Sequence, residues 1–144
     1  MSHTLNCVWV HVVFGTSGRE PWIGQRFHMR LHGYLHSILE DVGCTVTASN
    51  GMADHVHVLF LLDAGHSLGS VMAKVKANSS RWMKALDPSL QAFAWQAGYA
   101  AFAVSPTMKE RVIAYIDHQE QHHRGETFEE EYQKLVRMGE LAIG

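Results

Sequence analysis

Asp54-His55-Val56-His57-Val58-Leu59-Phe60-Leu61-Leu62 is the strongly apolar run on which the reading of this chain turns. Valine, leucine and phenylalanine at this density predict a strand of a buried sheet. Upstream, Cys44 to Ala48 alternates through Val46 and is followed by Ser49-Asn50-Gly51, a turn-forming triplet, so the two runs together predict a β-hairpin. Side chains alternate across a sheet, which sends His55 and His57 to one face and Val56 and Val58 to the other, packed one. Asp54 is placed to orient or assist the histidines.

Working outward, Cys7 to Phe14 is rich in Val, Trp and Phe and stops at Gly15-Thr16-Ser17-Gly18, a strand followed by a loop. Between Gln25 and Val42, Phe27, Leu31, Leu35, Ile38 and Leu39 recur at helical spacing, with Gly43 where a helix-ending glycine belongs. A second helix is predicted from Ser67 to Leu86, its apolar side made by Val71, Met72, Val75, Trp82 and Met83 and its end set by Asp87-Pro88. Ala92 to Val104 predicts one or two strands bent at Gly98. A third helix is expected from about Thr107 to His123, with Gly125 just beyond it, and an acidic helix from Phe128 to Met138 closes the chain. The order β-α-β-β-α-β-α is that of an α+β sandwich, an antiparallel sheet with helices mainly on one face.

The 144 residues, 47% of them hydrophobic, suffice for one compact domain spanning 1–144, in which about 107–140 form a C-terminal helical segment. A formal net charge of -2 runs against the strongly basic balance of a simple nucleic-acid binder, although the 11 histidines could shift the local balance beside phosphate. Cys7 and Cys44 are too few for a disulfide framework or a metal knuckle. The apolar run from Leu5 to Phe14 is interrupted by Asn6 and His11 and lacks a basic leader, so neither a signal peptide nor a membrane span is expected and the setting is cytoplasmic.

His55 and His57 offer two nitrogen ligands from one strand face, and a divalent ion acting on phosphate needs at least one more from elsewhere. Four residues apart on the third helix, Tyr115 and Gln119 share a face, so a phenol and a neutral oxygen donor stand one turn from each other. The phenol could attack phosphorus, or it could simply pack with Met108, Val112 and Ile116 in an apolar stripe. His118, His122 and His123 fall at a helix end and are placed outside the core site. On the second helix Lys74, Lys76, Arg81 and Lys84 occur with no acid among them; Lys74, Lys76, Asn78 and Arg81 are the candidate DNA contacts, with Ser79 and Ser80 as hydroxyl donors. Trp95 and Tyr99 could stack on unpaired bases or belong to the core. Glu126 and Glu129 to Glu131 would repel DNA, so the last helix is expected to face solvent or a second subunit.

Taken together, Met1-Ser2-His3-Thr4 with the Val-Phe-Gly-Thr strand end at 13–16, the run from Gly51 to Leu59, Lys76-Ala77-Asn78-Ser79-Ser80-Arg81-Trp82, Phe93 to Tyr99, and Tyr115 to His123 resemble one family. It is that of the one-tyrosine transposases of the insertion sequence 200/605 kind, especially their REP-associated tyrosine transposase relatives. The resemblance spans nearly the whole chain and rests on order and spacing: His-hydrophobe-His in a strand, then the Lys-Ala-Asn-Ser-Ser-Arg-Trp helix, then Tyr-x-x-x-Gln. It implies a ferredoxin-like (RRM-like) sheet with a C-terminal tyrosine-bearing helix. It further implies His55, His57 and Gln119 as ligands of magnesium or manganese, and Tyr115 as the nucleophile that forms a 5′-phosphotyrosine link and frees a 3′-hydroxyl. A homodimer whose tyrosine helix completes the partner subunit's site, recognition of hairpins in single-stranded DNA, and no nucleotide cofactor complete the expectation. Two other readings of the residues stand beside it: a ferredoxin-like nucleic-acid-binding module without catalysis, and a metal-dependent phosphoesterase that activates water.

Overall fold

A computed structural model describes residues 4–143, with side chains as far as residue 140; Met1-Ser2-His3, the start of the resemblance, lies outside them. Four strands, β1 (Trp9–Gly15), β2 (Thr45–Met52), β3 (His55–Leu61) and β4 (Ala100–Val104), form one sheet in the order β2-β3-β1-β4, every neighbour antiparallel. β1 and β3 are central and buried on both faces: valine and phenylalanine fill the face under α1 and α2, and the other face carries the buried His11, His55 and His57 among apolar residues.

Helices α1 (Gln25–Asp41) and α2 (Leu68–Leu86) cover one face, packing Phe27, Leu31, Leu35, Val71, Met72 and Val75 onto Val12, Phe14, Val56, Val58 and Phe60. Each such side chain contributes about 1.5–3 kcal/mol on leaving water, so this layer supplies the main cohesion of the fold. Tyr34 of α1 stacks on Trp82 of α2, ring centroids 4.6 Å apart. The ends follow local chemistry: Ser67 caps α2 by accepting from the Ser70 amide at 3.1 Å, and Gly43, at φ +93°, takes the left-handed conformation that ends α1.

The opposite face carries α3 (Lys109–Asp117), α4 (Gln119–His122) and α5 (Phe128–Ile143). Ile116 is fully buried there against Ala48, Leu59 and Val104. The α+β, antiparallel architecture expected from the pattern is the one observed, and among the described residues no helix is long and apolar enough to cross a membrane.

Details of the elements differ from expectation. Ser49-Asn50-Gly51 does not turn the chain; it continues β2 opposite Val58, His57 and Val56, and Ala53-Asp54 make the turn. Asn50 uses its amide to bond the carbonyls of Ile116 and Asp117 at 3.0 and 3.3 Å. Gly51 is needed for closeness, since a Cβ there would lie 2.1 Å from the His55 carbonyl oxygen. The third helix begins later than expected and breaks at His118 (φ -101°, ψ 26°), where the imidazole bonds the Ala114 carbonyl at 2.6 Å and competes with the helix ladder. Of Ala92 to Val104 only the last five residues form a strand; Gly98, at φ +82°, bends the chain, and Trp95 makes a single bridge to Thr16. α5 starts at a capping box, in which Glu130 N–H donates to Thr127 Oγ1 at 3.2 Å and Thr127 N–H to Glu130 Oε1 at 3.3 Å.

Candidate active site

The strand alternation delivers His55 and His57 to the face covered by α3–α5, and neither side chain reaches solvent. Each imidazole is held through Nδ1: that of His55 lies 2.8 Å from Asp54 Oδ1, and that of His57 lies 2.8 Å from Nε2 of His11 on β1. Phe128, the first residue of α5, lies flat on the His55 ring at 4.1 Å. Packing and hydrogen bonds therefore fix both rings with Nε2 directed away from the strand.

What those nitrogens meet decides the chemistry. His55 Nδ1 donates to the Asp54 carboxylate, which leaves Nε2 a bare lone pair, and 3.0 Å from it is Gln119 Oε1, also an acceptor. His123 repeats the arrangement, since its Nδ1 donates to the Glu126 carbonyl at 2.7 Å and its Nε2 stands 3.1 Å from Gln119 Oε1 and 3.2 Å from Glu131 Oε1. Glu131 Oε1 lies 3.0 Å from His57 Nε2 and 3.4 Å from His55 Nε2. Lone pairs converging in a buried space repel one another unless a cation, a proton or a metal ion, lies among them. The donor set of imidazole nitrogen and carboxylate or amide oxygen suits a divalent ion, and one ligand atom each from His55, His57 and Glu131 falls within 4.8 Å of the others. His122, Glu126 and Glu131 make a second such group.

Tyr115 stands beside this cluster, its ring edge-on to His57 at 5.7 Å, and its hydroxyl donates to Glu131 Oε2. Burial, the bond to Glu131 and the charge of that carboxylate push the phenol above its usual range. Burial also works against ionisation of Glu131, but the bonds from His57 and Tyr115 outweigh it and hold the carboxyl below the usual range. Burial depresses His57 and, together with the neighbouring His57 ring, lowers His11 to about 3, so His11 is a neutral strut. Tyr115 opens onto a groove of about 330 Å³ shared with Val112, His122 and Leu135.

The four residues read from the sequence, His55, His57, Tyr115 and Gln119, thus converge within one chain, together with Asp54. The last helix is not turned wholly to solvent or to a second subunit, the placement expected: Glu131 is 2% exposed and sits at the centre of the cluster, while Glu129 stays at the surface and pairs with Arg19 at 2.6 Å. His122 and His123, placed outside from sequence, lie beside it. The overlooked signal is in α5, where Phe128, Glu131 and Leu135 share one side at helical spacing, a carboxylate in an apolar stripe.

The basic helix lies on the far side of the sheet from the histidines. Lys74 and Arg81 are exposed and Asn78 accepts from Arg81, whereas Lys76 Nζ is engaged, donating to the carbonyls of Gln96 at 2.6 Å and Gly98 at 2.7 Å. Ser79 is buried, donating to the Val75 carbonyl and accepting from Trp95 Nε1 at 2.9 Å. Trp95 packs on Phe14 and Phe93, and Tyr99 on the same core.

A family profile described as transposase, IS200-like, matches residues 4–119. No curated protein matches the chain. Among solved structures, a candidate transposase from Deinococcus radiodurans superposes with a TM-score of 0.63 at 22% identity, over 83% of this chain and 98% of that one. A REP-associated tyrosine transposase bound to a REP hairpin also superposes at 0.63, with 16% identity, over 85% of this chain and 72% of that one.

Proposed function

This chain belongs to the IS200-like transposase family, and from that membership we propose that it cuts and rejoins single-stranded DNA with Tyr115 as nucleophile. The observation that carries the reading is the meeting of acceptor atoms from His55, His57, Gln119 and Glu131 beside the Tyr115 hydroxyl. His55, His57 and Gln119 would hold a magnesium or manganese ion, which when bound polarises the scissile phosphate. Asp54 and His11 keep the two imidazoles in the tautomer and orientation that ligation needs. The Tyr115 oxygen attacks phosphorus, the 3′-oxygen departs, and the 5′-phosphate remains on the tyrosine. The ester keeps the energy of the phosphodiester, so rejoining needs no nucleotide cofactor.

The substrate we propose is single-stranded DNA containing a hairpin; the REP-associated structural neighbour is bound to a REP hairpin. Lys74, Asn78 and Arg81 on the exposed side of α2 are offered to the phosphate backbone, and Lys76 acts by pinning the loop before β4. Residues 1–144 would act as one transposase domain in a cytoplasmic homodimer.

The test is to incubate hairpin-bearing element ends with manganese and the wild-type or Tyr115→Phe protein, and to look for a denaturant-resistant protein–DNA species. The wild type should form it, and Tyr115→Phe or excess chelator should abolish it. Free ends without an adduct would favour a water-activating phosphoesterase, and binding without any cleavage a non-catalytic module.

A further inference from the structure

Attack by Tyr115 requires a group that takes the phenol proton. We propose that Glu131 is a catalytic residue, the base that takes the Tyr115 proton as the phenol attacks and the acid that returns it on rejoining. The inference rests on the reading of Tyr115 as nucleophile.

The geometry carries it. Glu131 comes from α5, outside the matched family segment of residues 4–119, yet Oε2 is the acceptor of the Tyr115 hydroxyl hydrogen bond. The same oxygen lies 3.3 Å from Gln119 Nε2, while Oε1 lies 3.0 Å from His57 Nε2 and 3.2 Å from His123 Nε2. Oε2 is thus fixed between the Gln119 amide, which donates to it, and the phenol, while Oε1 is turned to the imidazole nitrogens, the positioning a general base requires. His122, His57 and His11 also flank the Tyr115 ring, at 5.2, 5.7 and 6.2 Å between centroids, but His122 turns Nε2 to Glu126 at 2.6 Å and lies 3.4 Å from Glu131 Oε2, His57 turns Nε2 to Glu131 at 3.0 Å, and His11 turns Nε2 to His57 at 2.8 Å.

The step balances. In cleavage the proton on Tyr115 Oη passes to Glu131 Oε2, the phenol oxygen forms a bond to phosphorus, and the P–O3′ bond breaks with its electron pair on the 3′-oxygen, which takes a proton from water. In rejoining, a 3′-hydroxyl attacks phosphorus and releases its proton to water, the P–O bond to Tyr115 breaks, and the phenolate recovers the proton from Glu131.

The experiment compares adduct formation by the wild type and Glu131→Gln at saturating manganese, each with natural tyrosine and with 3,5-difluorotyrosine at position 115. The isosteric amide cannot accept the proton, so the natural-tyrosine rate should fall by about 100-fold or more. The more acidic phenol needs its base less, so with difluorotyrosine the gap should narrow to within about tenfold. Glu131→Gln that reacts as fast as the wild type, or faster, overturns the proposal, as does a defect that fluorination leaves unchanged, the mark of a ligand or strut. Should Glu131→Gln melt below the assay temperature, Glu131→Asp is put through the same comparison under the same criteria. A wild type that forms no adduct removes the nucleophile itself and this base with it; a wild type that does while Glu131→Gln matches it removes the base alone.

Discussion

At the scale of single residues the site is a set of imidazoles whose second nitrogens are tied. Asp54 on His55 and His11 on His57 set which nitrogen faces the cluster, and partners of this kind govern ligand basicity as well as orientation. Asp54→Asn should therefore weaken manganese binding about 10–100-fold while leaving the fold intact, as read by titration calorimetry and circular dichroism. Unchanged affinity would remove Asp54 from the site. His55 with His57, and Tyr115 with Gln119, were legible in the sequence because i, i+2 on a strand and i, i+4 on a helix are local periodicities. His11 and Glu131 were not, because each reaches the cluster across a tertiary contact, 46 residues from His57 in one case and 16 from Tyr115 in the other.

Among the elements, α5 is the one whose placement had to be found rather than read. Its start is locked by the Thr127–Glu130 capping box, by Phe128 on His55, and by Arg19, which pairs with Glu129 and lies 5.0 Å over the Phe128 ring. Gly15 makes room for that ring: a Cβ there would lie 2.7 Å from Phe128 Cε2 and 3.3 Å from the Asp54 carbonyl oxygen. Phe128 is buried and stacked, so it cannot swing away freely. Gly15→Ala should cost about 1–3 kcal/mol in denaturant unfolding, and hydrogen exchange should show the loss of protection concentrated in α5 and the β3 end. A uniform loss, or none, would contradict this role for α5 packing. The misplaced hairpin turn has the same origin. Ser-Asn-Gly has turn chemistry in isolation, yet Asn50 and Gly51 serve a helix bond and a close strand approach that only the assembled sheet supplies.

For the whole molecule the buried histidines make stability depend on pH. His32 of α1, held against Ser49, is lowered to about 3 by burial first and then by its neighbour His28. Unfolded, it takes a proton near its ordinary 6.5, whereas folded it does so only near 3, so acidification favours the unfolded chain. Its stabilisation is complete above pH 6.5 and is lost progressively as the pH falls towards 3, an effect on the order of a few kcal/mol. His32→Gln should flatten this limb of the melting-temperature profile relative to wild type; parallel profiles would show that His32 titrates as freely folded as unfolded. By itself the sequence determined the sheet and its helices, the pairing of His55 with His57 and that of Tyr115 with Gln119, because hydrophobic period and side-chain alternation act over a few residues. The tertiary structure alone decided that α5 returns to the sheet and brings the charge of Glu131 to the tyrosine. That choice weighs the cost of burying a carboxylate against partners drawn from β3, α3 and the α4 region, and no local pattern contains those partners.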